Sequence, residues 1–150
     1  MSYNRLLAGR YSEPGRDYFI TFVTYNRIPV FNDLNRARIV IQQLSRLDTD
    51  EQLLSQAWVV MPDHIHILAT LGSVYTLSEC IKQLKGRSAR VINAHQRGRC
   101  QPLWQPRYYE RALRSEEDRP VIARYLVANP LRAGLVHRLA DYPHWDSIWL

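Results

Sequence analysis

Leu53-Leu-Ser-Gln-Ala-Trp-Val-Val-Met-Pro-Asp-His-Ile-His-Ile-Leu-Ala-Thr-Leu71 is two apolar runs joined by a Pro-Asp pair. Leu53 to Met61 predicts a strand. Pro62-Asp63 is a turn signal. His64 to Leu71 predicts a second strand, antiparallel to the first through that short connection. On such a strand His64 and His66 point to one side, and Ile65 and Ile67 to the other. Two imidazoles one pleat apart can chelate a single divalent ion. Two histidines on the solvent face of a strand are the plainer alternative.

Working outward, Asp17 to Tyr25 (DYFITFVTY) predicts a strand, and Asn26 to Phe31, with its proline, a loop. Leu34 to Leu47 places apolar residues at 34, 37, 40, 41, 44 and 47, which is helical spacing. Thr76 to about His95 predicts a second helix, with Ser78 as a cap and Gly86 weakening its middle. Gln96 to Gln101 reads as a polar basic loop. Leu103 to Arg114 fits either a short strand or an extended arm. Ser115 to Asp118 resembles a helix start that tolerates Pro120 in its first turn. That helix is expected to reach Asn129 and stop at Pro130. Gly134 then marks a turn, and the tail carries Trp145 and Trp149. The order β-α-β-β-α-(β)-α indicates an α+β fold of ferredoxin-like, RRM-like type, with helices packed on an antiparallel sheet.

The 150 residues suit one domain, residues 1–150, and 46% of them are apolar, enough for a core. The first residues lack the apolar run of a secretion signal, and no stretch approaches the length of a membrane span. With only Cys80 and Cys100, a reduced, cytoplasmic setting is expected. Both cysteines are read as ordinary packed residues. The net charge is +6, and 18 of the 20 basic residues are arginine. Residues 80–114 alone carry a net +8. Guanidinium forks grip phosphate and stack on bases, so this patch points to a nucleic-acid partner.

Arg124-Tyr-Leu-Val-Ala-Asn-Pro130 is the second informative stretch. If it is helical, Tyr125 and Asn129 share a face at i and i+4. A carboxamide oxygen can ligate a hard cation, and a phenol can act as a covalent nucleophile. Tyr108 and Tyr109 are rival nucleophiles or base-stacking groups. No residue stands out as the base that deprotonates Tyr125; Asp63 and a metal-bound water are candidates.

Five stretches together carry a resemblance. They are Tyr18-Phe-Ile-Thr-Phe-Val-Thr-Tyr-Asn-Arg27, Val60-Met-Pro-Asp-His-Ile-His66, Leu103-Trp-Gln-Pro-Arg107, Arg111-Ala-Leu-Arg114 and Arg124-Tyr-Leu-Val-Ala-Asn-Pro-Leu-Arg-Ala-Gly-Leu-Val136. The chain resembles the HUH nucleases and, more closely, the REP-associated tyrosine transposases, a branch of the single-tyrosine HUH transposases. The resemblance implies that the histidines lie on a central strand and the tyrosine on a C-terminal helix. It implies His64, His66 and Asn129 as ligands of Mg²⁺ or Mn²⁺, and Tyr125 as the nucleophile that forms a 5′-phosphotyrosine. The implied substrate is single-stranded DNA bearing an imperfect palindromic hairpin with a short guide sequence at its foot, in bacterial cytoplasm at the nucleoid. A monomer is expected over a homodimer. Arg87, Arg90, Arg97, Arg99 and Arg107 are expected on phosphates, Trp104 as a stacking platform, and Arg5 and Arg10 at the foot of the hairpin. Two other readings keep the same residues: a hairpin-binding protein without catalysis, and a metal-dependent small-molecule enzyme, which leaves the arginine patch unexplained.

Overall fold

The computed structural model describes residues 12–94 and 101–150. Strand β1 (Asp17–Val23) leads through two 3₁₀ turns to helix α1 (Leu34–Thr49), and then to β2 (Leu53–Val60) and β3 (His64–Leu71). Helix α2 (Leu77–Ala94), β4 (Tyr109–Ala112), α3 (Arg119–Val127), the single turn α4 (Asn129–Arg132) and β5 (Trp145–Ser147) follow. The sheet order is β4-β1-β3-β2-β5, antiparallel throughout. Its first four strands have the ferredoxin-like order, and β5 extends the outer edge of β2. The histidine strand is the central one. Among the described residues no helix is long and apolar enough to cross a membrane.

The hairpin forms where the sequence places it. Met61 N donates to His64 O at 2.8 Å and closes the turn over Pro62-Asp63. Alternation then divides every strand between two faces. Ile65, Ile67, Ala69 and Leu71 of β3 join Tyr18, Ile20 and Phe22 of β1 in one buried cluster, covered by α1 and α2. Leu68, Ala57 and Val59 join a second cluster on the other face, covered by Ala123, Leu126 and Val127 of α3. Helix α1 starts at Asp33, whose side chain accepts from Arg36 N, and buries Ala37, Val40, Leu44 and Leu47 at helical spacing. Helix α2 is capped by Thr76, not Ser78: Thr76 Oγ1 accepts from Glu79 N at 3.1 Å. Gly72 is required where β3 ends, because a Cβ there would lie 2.0 Å from the carbonyl oxygen of Glu51.

Three further expectations change. The segment before Arg114 is a strand at its end only, with β4 paired to β1. The tail adds β5, which Trp145 and its neighbours did not announce. The last helix ends earlier than expected: α3 stops at Val127, and Ala128 breaks it with ψ near 0°. Pro130 does not terminate anything; it falls in the first turn of α4, where a missing N–H costs nothing.

Candidate active site

Strand β3 aims His64 and His66 at the face covered by α3. Their ring centroids are 4.9 Å apart, at 77°. Each ring is fixed by its Nδ1. His64 Nδ1 is 2.6 Å from Asp63 Oδ1, and the other oxygen of Asp63 accepts from Arg27 at 3.3 Å. His66 Nδ1 is 2.7 Å from Thr21 Oγ1, on the neighbouring strand. Neither Nε2 has a hydrogen-bond partner among the described residues. Oriented imidazoles with Nδ1 engaged and Nε2 open are what a metal site requires. Burial, then the charges of His64 and Arg132, pull the pKa of His66 down to about 4. Its ring is therefore neutral, with a lone pair to donate, near neutral pH.

Asp63 serves this arrangement and is not placed as a free base. Burial pushes its pKa up, but hydrogen bonds and charge from His64 and Arg27 outweigh that and hold it below the usual carboxylate value. Its carbonyl oxygen is also tied down, accepting from Thr24 N at 2.9 Å and Thr24 Oγ1 at 3.1 Å. The adjoining turn is unusual. Asn26 and Arg27 both have left-handed φ, 54° and 51°, a conformation that costs non-glycine residues of order 1–3 kcal/mol.

Tyr125 lies on α3 and is 65% exposed. The Arg132 guanidinium sits 3.8 Å above its ring centroid, a cation–π contact. Arg132 thus contacts the tyrosine and is also close enough for its charge to be felt at His66. Asn129 is not at the i+4 position of Tyr125's own helix, because α3 has already ended. It opens α4 instead, and its Nδ2 donates to Leu126 O at 2.7 Å. With the amide nitrogen used internally, the carboxamide oxygen is the atom left to ligate. Among the described residues no cluster of three or more His, Cys, Asp or Glu side chains exists. Two imidazole nitrogens with a carboxamide oxygen would leave open positions for a divalent ion such as Mg²⁺ or Mn²⁺.

The tyrosines of the arm separate by face. Thr21 pairs with His66 on one side and with Tyr109 on the other, so Tyr109 stands in the same row as His66, two strands away. It is 53% exposed. Tyr108 packs against the opposite cluster instead. Of the remaining histidines, His144 is buried against Tyr142, and its pKa is lowered by burial and then by the charge of Arg38.

The arginines divide in the same way. Arg87 and Arg90 lie on α2, on the sheet face away from the histidines, with Arg107 on the segment beside it. The basic stretch is thus one patch in sequence but is divided between the two faces of the sheet. On the histidine face the charge comes from Arg27, Arg132 and Arg111, the last paired with Glu117 at 2.6 Å. Arg5, Arg10, Arg97 and Arg99 lie outside the described residues. Trp104 is corrected outright. It is only 7% exposed, packs between Phe22 and Phe31, and donates its indole N–H to Ser88 Oγ at 3.0 Å. It is a core residue, not a stacking platform. Cys80 is buried, and its thiol is pushed up to about 11, first by burial and then by the Glu79 charge.

Sequence reasoning missed Thr21, Arg132 and a clamp at the start of α3. There Arg119 Nε donates to Asp17 Oδ2 at 2.9 Å, and its Nη1 donates to the carbonyls of Arg114 and Glu117. Thr21 was findable as a polar residue on the strand beside β3, and Arg132 as part of the quoted stretch Arg124 to Val136; Arg119 carries no local signal.

Known proteins match this chain in sequence and in fold. The family model for IS200-like transposases matches residues 15–129, more than half of the chain. A REP-associated tyrosine transposase of Escherichia coli (strain K12) is 27% identical over 143 residues, covering 89% of this chain and 78% of that protein. A solved structure of a REP-associated tyrosine transposase bound to a REP hairpin is 25% identical. It superposes with a TM-score of 0.75, covering 91% of this chain and 79% of that one. On the family match, with REP-associated tyrosine transposases among its relatives in sequence and in fold, the chain belongs to the IS200-like transposase family.

Proposed function

We propose that this protein is a metal-dependent endonuclease and strand-transferase that cleaves and rejoins single-stranded DNA at palindromic hairpins, with Tyr125 as nucleophile. The observation that carries the reading is the pair His64–His66, each held through Nδ1 with its Nε2 open, on the face that α3 covers. The family membership and the hairpin bound by the related structure supply the substrate class.

Tyr125 Oη attacks the scissile phosphorus, forming the phosphotyrosine bond as the bond to the 3′ oxygen breaks. The 3′ oxygen leaves and takes up a proton; the phenol gives one up. Attack by another 3′-hydroxyl reverses these steps, so joining needs no nucleotide triphosphate. His64, His66 and Asn129 are the residues that would hold Mg²⁺ or Mn²⁺. When bound, such an ion withdraws charge from the non-bridging oxygens and orients the phosphate for in-line attack. Arg132 contacts the Tyr125 ring, and its charge also reaches His66. Thr21 and Asp63 keep the two imidazoles in their ligating orientation. Tyr109, in the row of His66, is suited to stack on a base that approaches the site.

The reading includes a monomer acting with its own tyrosine. Helix α3 packs on β2 and β3 of the same chain through Ala123, Leu126 and Val127, and Arg119 ties its start to Asp17 of β1.

The test is a labelled single-stranded hairpin incubated with protein and Mn²⁺, followed by denaturing electrophoresis. A covalent protein–DNA adduct is expected from the native chain and from Tyr109→Phe, and none from Tyr125→Phe. Adduct at the native level in Tyr125→Phe removes Tyr125 from its role. Tight, salt-dependent binding without any adduct over several hairpins and metals makes the protein a hairpin-binding module instead.

A further inference from the structure

Arg132 is exposed, and among the described residues no carboxylate forms an ion pair with it. Its side chain instead turns back on the chain, with the guanidinium 3.8 Å from the centroid of the Tyr125 ring. In an unbroken helix, seven residues rise about 10.5 Å. The break at Ala128 and the single turn α4 bring the two side chains together. That turn is braced. Pro130 is buried, Ala133 N donates to Asn129 O at 2.9 Å, and Leu135 N donates to Pro130 O at 3.0 Å. Gly134, with φ of 72°, then turns the chain away. Asn129 and Arg132 stand at i and i+3 of this turn and so are neighbours on its surface.

One guanidinium therefore lies against Tyr125, beside Asn129, and near enough for His66 to feel its charge. In the protein alone this placement is unfavourable. A positive charge there opposes any second cation at the same imidazole. An anion between the two relieves that repulsion. A guanidinium lying over a ring still presents N–H groups at its edge, and none of those of Arg132 has a hydrogen-bond partner among the described residues. That edge matches the oxygens of a phosphate, which a lysine would meet only as a point charge.

We propose that Arg132 is a catalytic residue with two contacts: its guanidinium positions the Tyr125 ring, and its N–H edge grips a non-bridging oxygen of the scissile phosphate. The inference rests on the cleavage reading above. As Tyr125 Oη attacks, negative charge builds on the non-bridging oxygens, and a fixed guanidinium beside them stabilises it. The bonds formed and broken are those already given, and Arg132 keeps its proton throughout. Because one side chain touches both nucleophile and phosphate, it also sets the approach of one to the other.

The test measures single-turnover adduct formation with a DNA hairpin and Mn²⁺ for the full chain, Arg132→Ala and Arg132→Lys, with hairpin and Mn²⁺ affinities measured beside it. Arg132→Ala should form adduct about 100-fold more slowly than the native chain. Its hairpin affinity should stay within about threefold of native, which separates the chemical step from binding. Mn²⁺ should bind it no more weakly, since a like charge has gone. Arg132→Lys, which keeps the charge without the fork, should lie between the two in rate. Sulfur is then placed on the scissile phosphate, located from the length of DNA that the native chain releases, and the two stereoisomers are separated. In the stereoisomer that replaces the gripped oxygen, the native-to-Arg132→Ala ratio of rates should narrow. The inference is overturned, with the cleavage reading intact, by any of four results: Arg132→Ala reacts at the native rate, its loss of rate matches a loss of Mn²⁺ affinity, Arg132→Lys is no faster than Arg132→Ala, or sulfur leaves the ratio unchanged in both stereoisomers. If the native chain forms no adduct with any hairpin, the cleavage reading fails and the inference fails with it.

Discussion

Thr21 and Phe22 are neighbours on β1 and face opposite sides of one sheet. Phe22 is fully buried under α1 and α2, in a cluster made almost wholly of apolar side chains. Thr21 looks the other way and hydrogen-bonds a histidine. The same division runs through β3, where Ile65 and Ile67 are buried in the core and His64 and His66 are held through Nδ1 on the other face. One face concentrates the hydrophobic burial. The other has a smaller apolar cluster and carries oriented imidazoles, an exposed tyrosine and a turn with two left-handed residues. The difference teaches how a small α+β domain accommodates a polar and strained site: the two-residue period of the strand lets one face offset what the other costs.

Substitutions on the two faces should separate activity from stability. The largest effect is expected for Tyr125→Phe. Adduct formation should fall on the order of a thousandfold or more, while stability moves by less than about 0.5 kcal/mol, since the residue is exposed. An equal loss of both in parallel assays would dissolve the distinction between the faces. Next comes Phe22→Ala, which should cost about 3–5 kcal/mol in urea unfolding. Adduct yield per folded molecule should stay near native. A yield that collapses in conditions where the variant is fully folded would show the two faces to be coupled.

Thr21→Val keeps shape and removes the hydroxyl that orients His66. Mn²⁺ affinity, followed by titration calorimetry, should drop about 10- to 100-fold with little change in stability. Unchanged affinity would make the Thr21–His66 contact a packing detail. The smallest effect concerns the clamp between α3 and the sheet. Burial pushes Asp17 up, but hydrogen bonds from Thr70, Arg119 and Gln56, with the Arg119 charge, leave its pKa below 3.8. A depressed carboxylate stabilises the fold above its unfolded pKa, and that stability is lost as pH falls through the folded value. Unfolding free energies measured below pH 3.8 should therefore fall less steeply in Asp17→Asn than in the native chain. Identical acid limbs would remove the clamp from the account.

Much of this architecture was legible in the chain. His64 to Ile67 alternates, and the strand His64 to Leu71 has the expected bounds. Leu34 to Leu47 and Thr76 to His95 repeat with helical period, and both helices lie within a few residues of expectation. Pro62-Asp63 closes its hairpin. These features depend on local periodicity and turn chemistry, which neighbouring residues fix among themselves. Trp104 failed because burial is a property of the environment: an indole flanked by Pro102, Gln105 and Pro106 carries no mark of the Phe22 and Phe31 rings that enclose it. β5 failed because three residues hold no period, and only the open edge of β2 makes them a strand.

By itself, the sequence determined the strand that carries His64 and His66, the face they share, the helix that carries Tyr125, and the excess of arginine. Those follow from dihedral geometry and composition. The tertiary structure alone decided which groups meet: Thr21 beside His66 through strand pairing, Arg132 over Tyr125 through the break at Ala128, and the arginines of α2 on the far side of the sheet. The reason is physical. Each meeting joins residues through register, a chain break or layer packing, and none of these is encoded in the few residues around either partner.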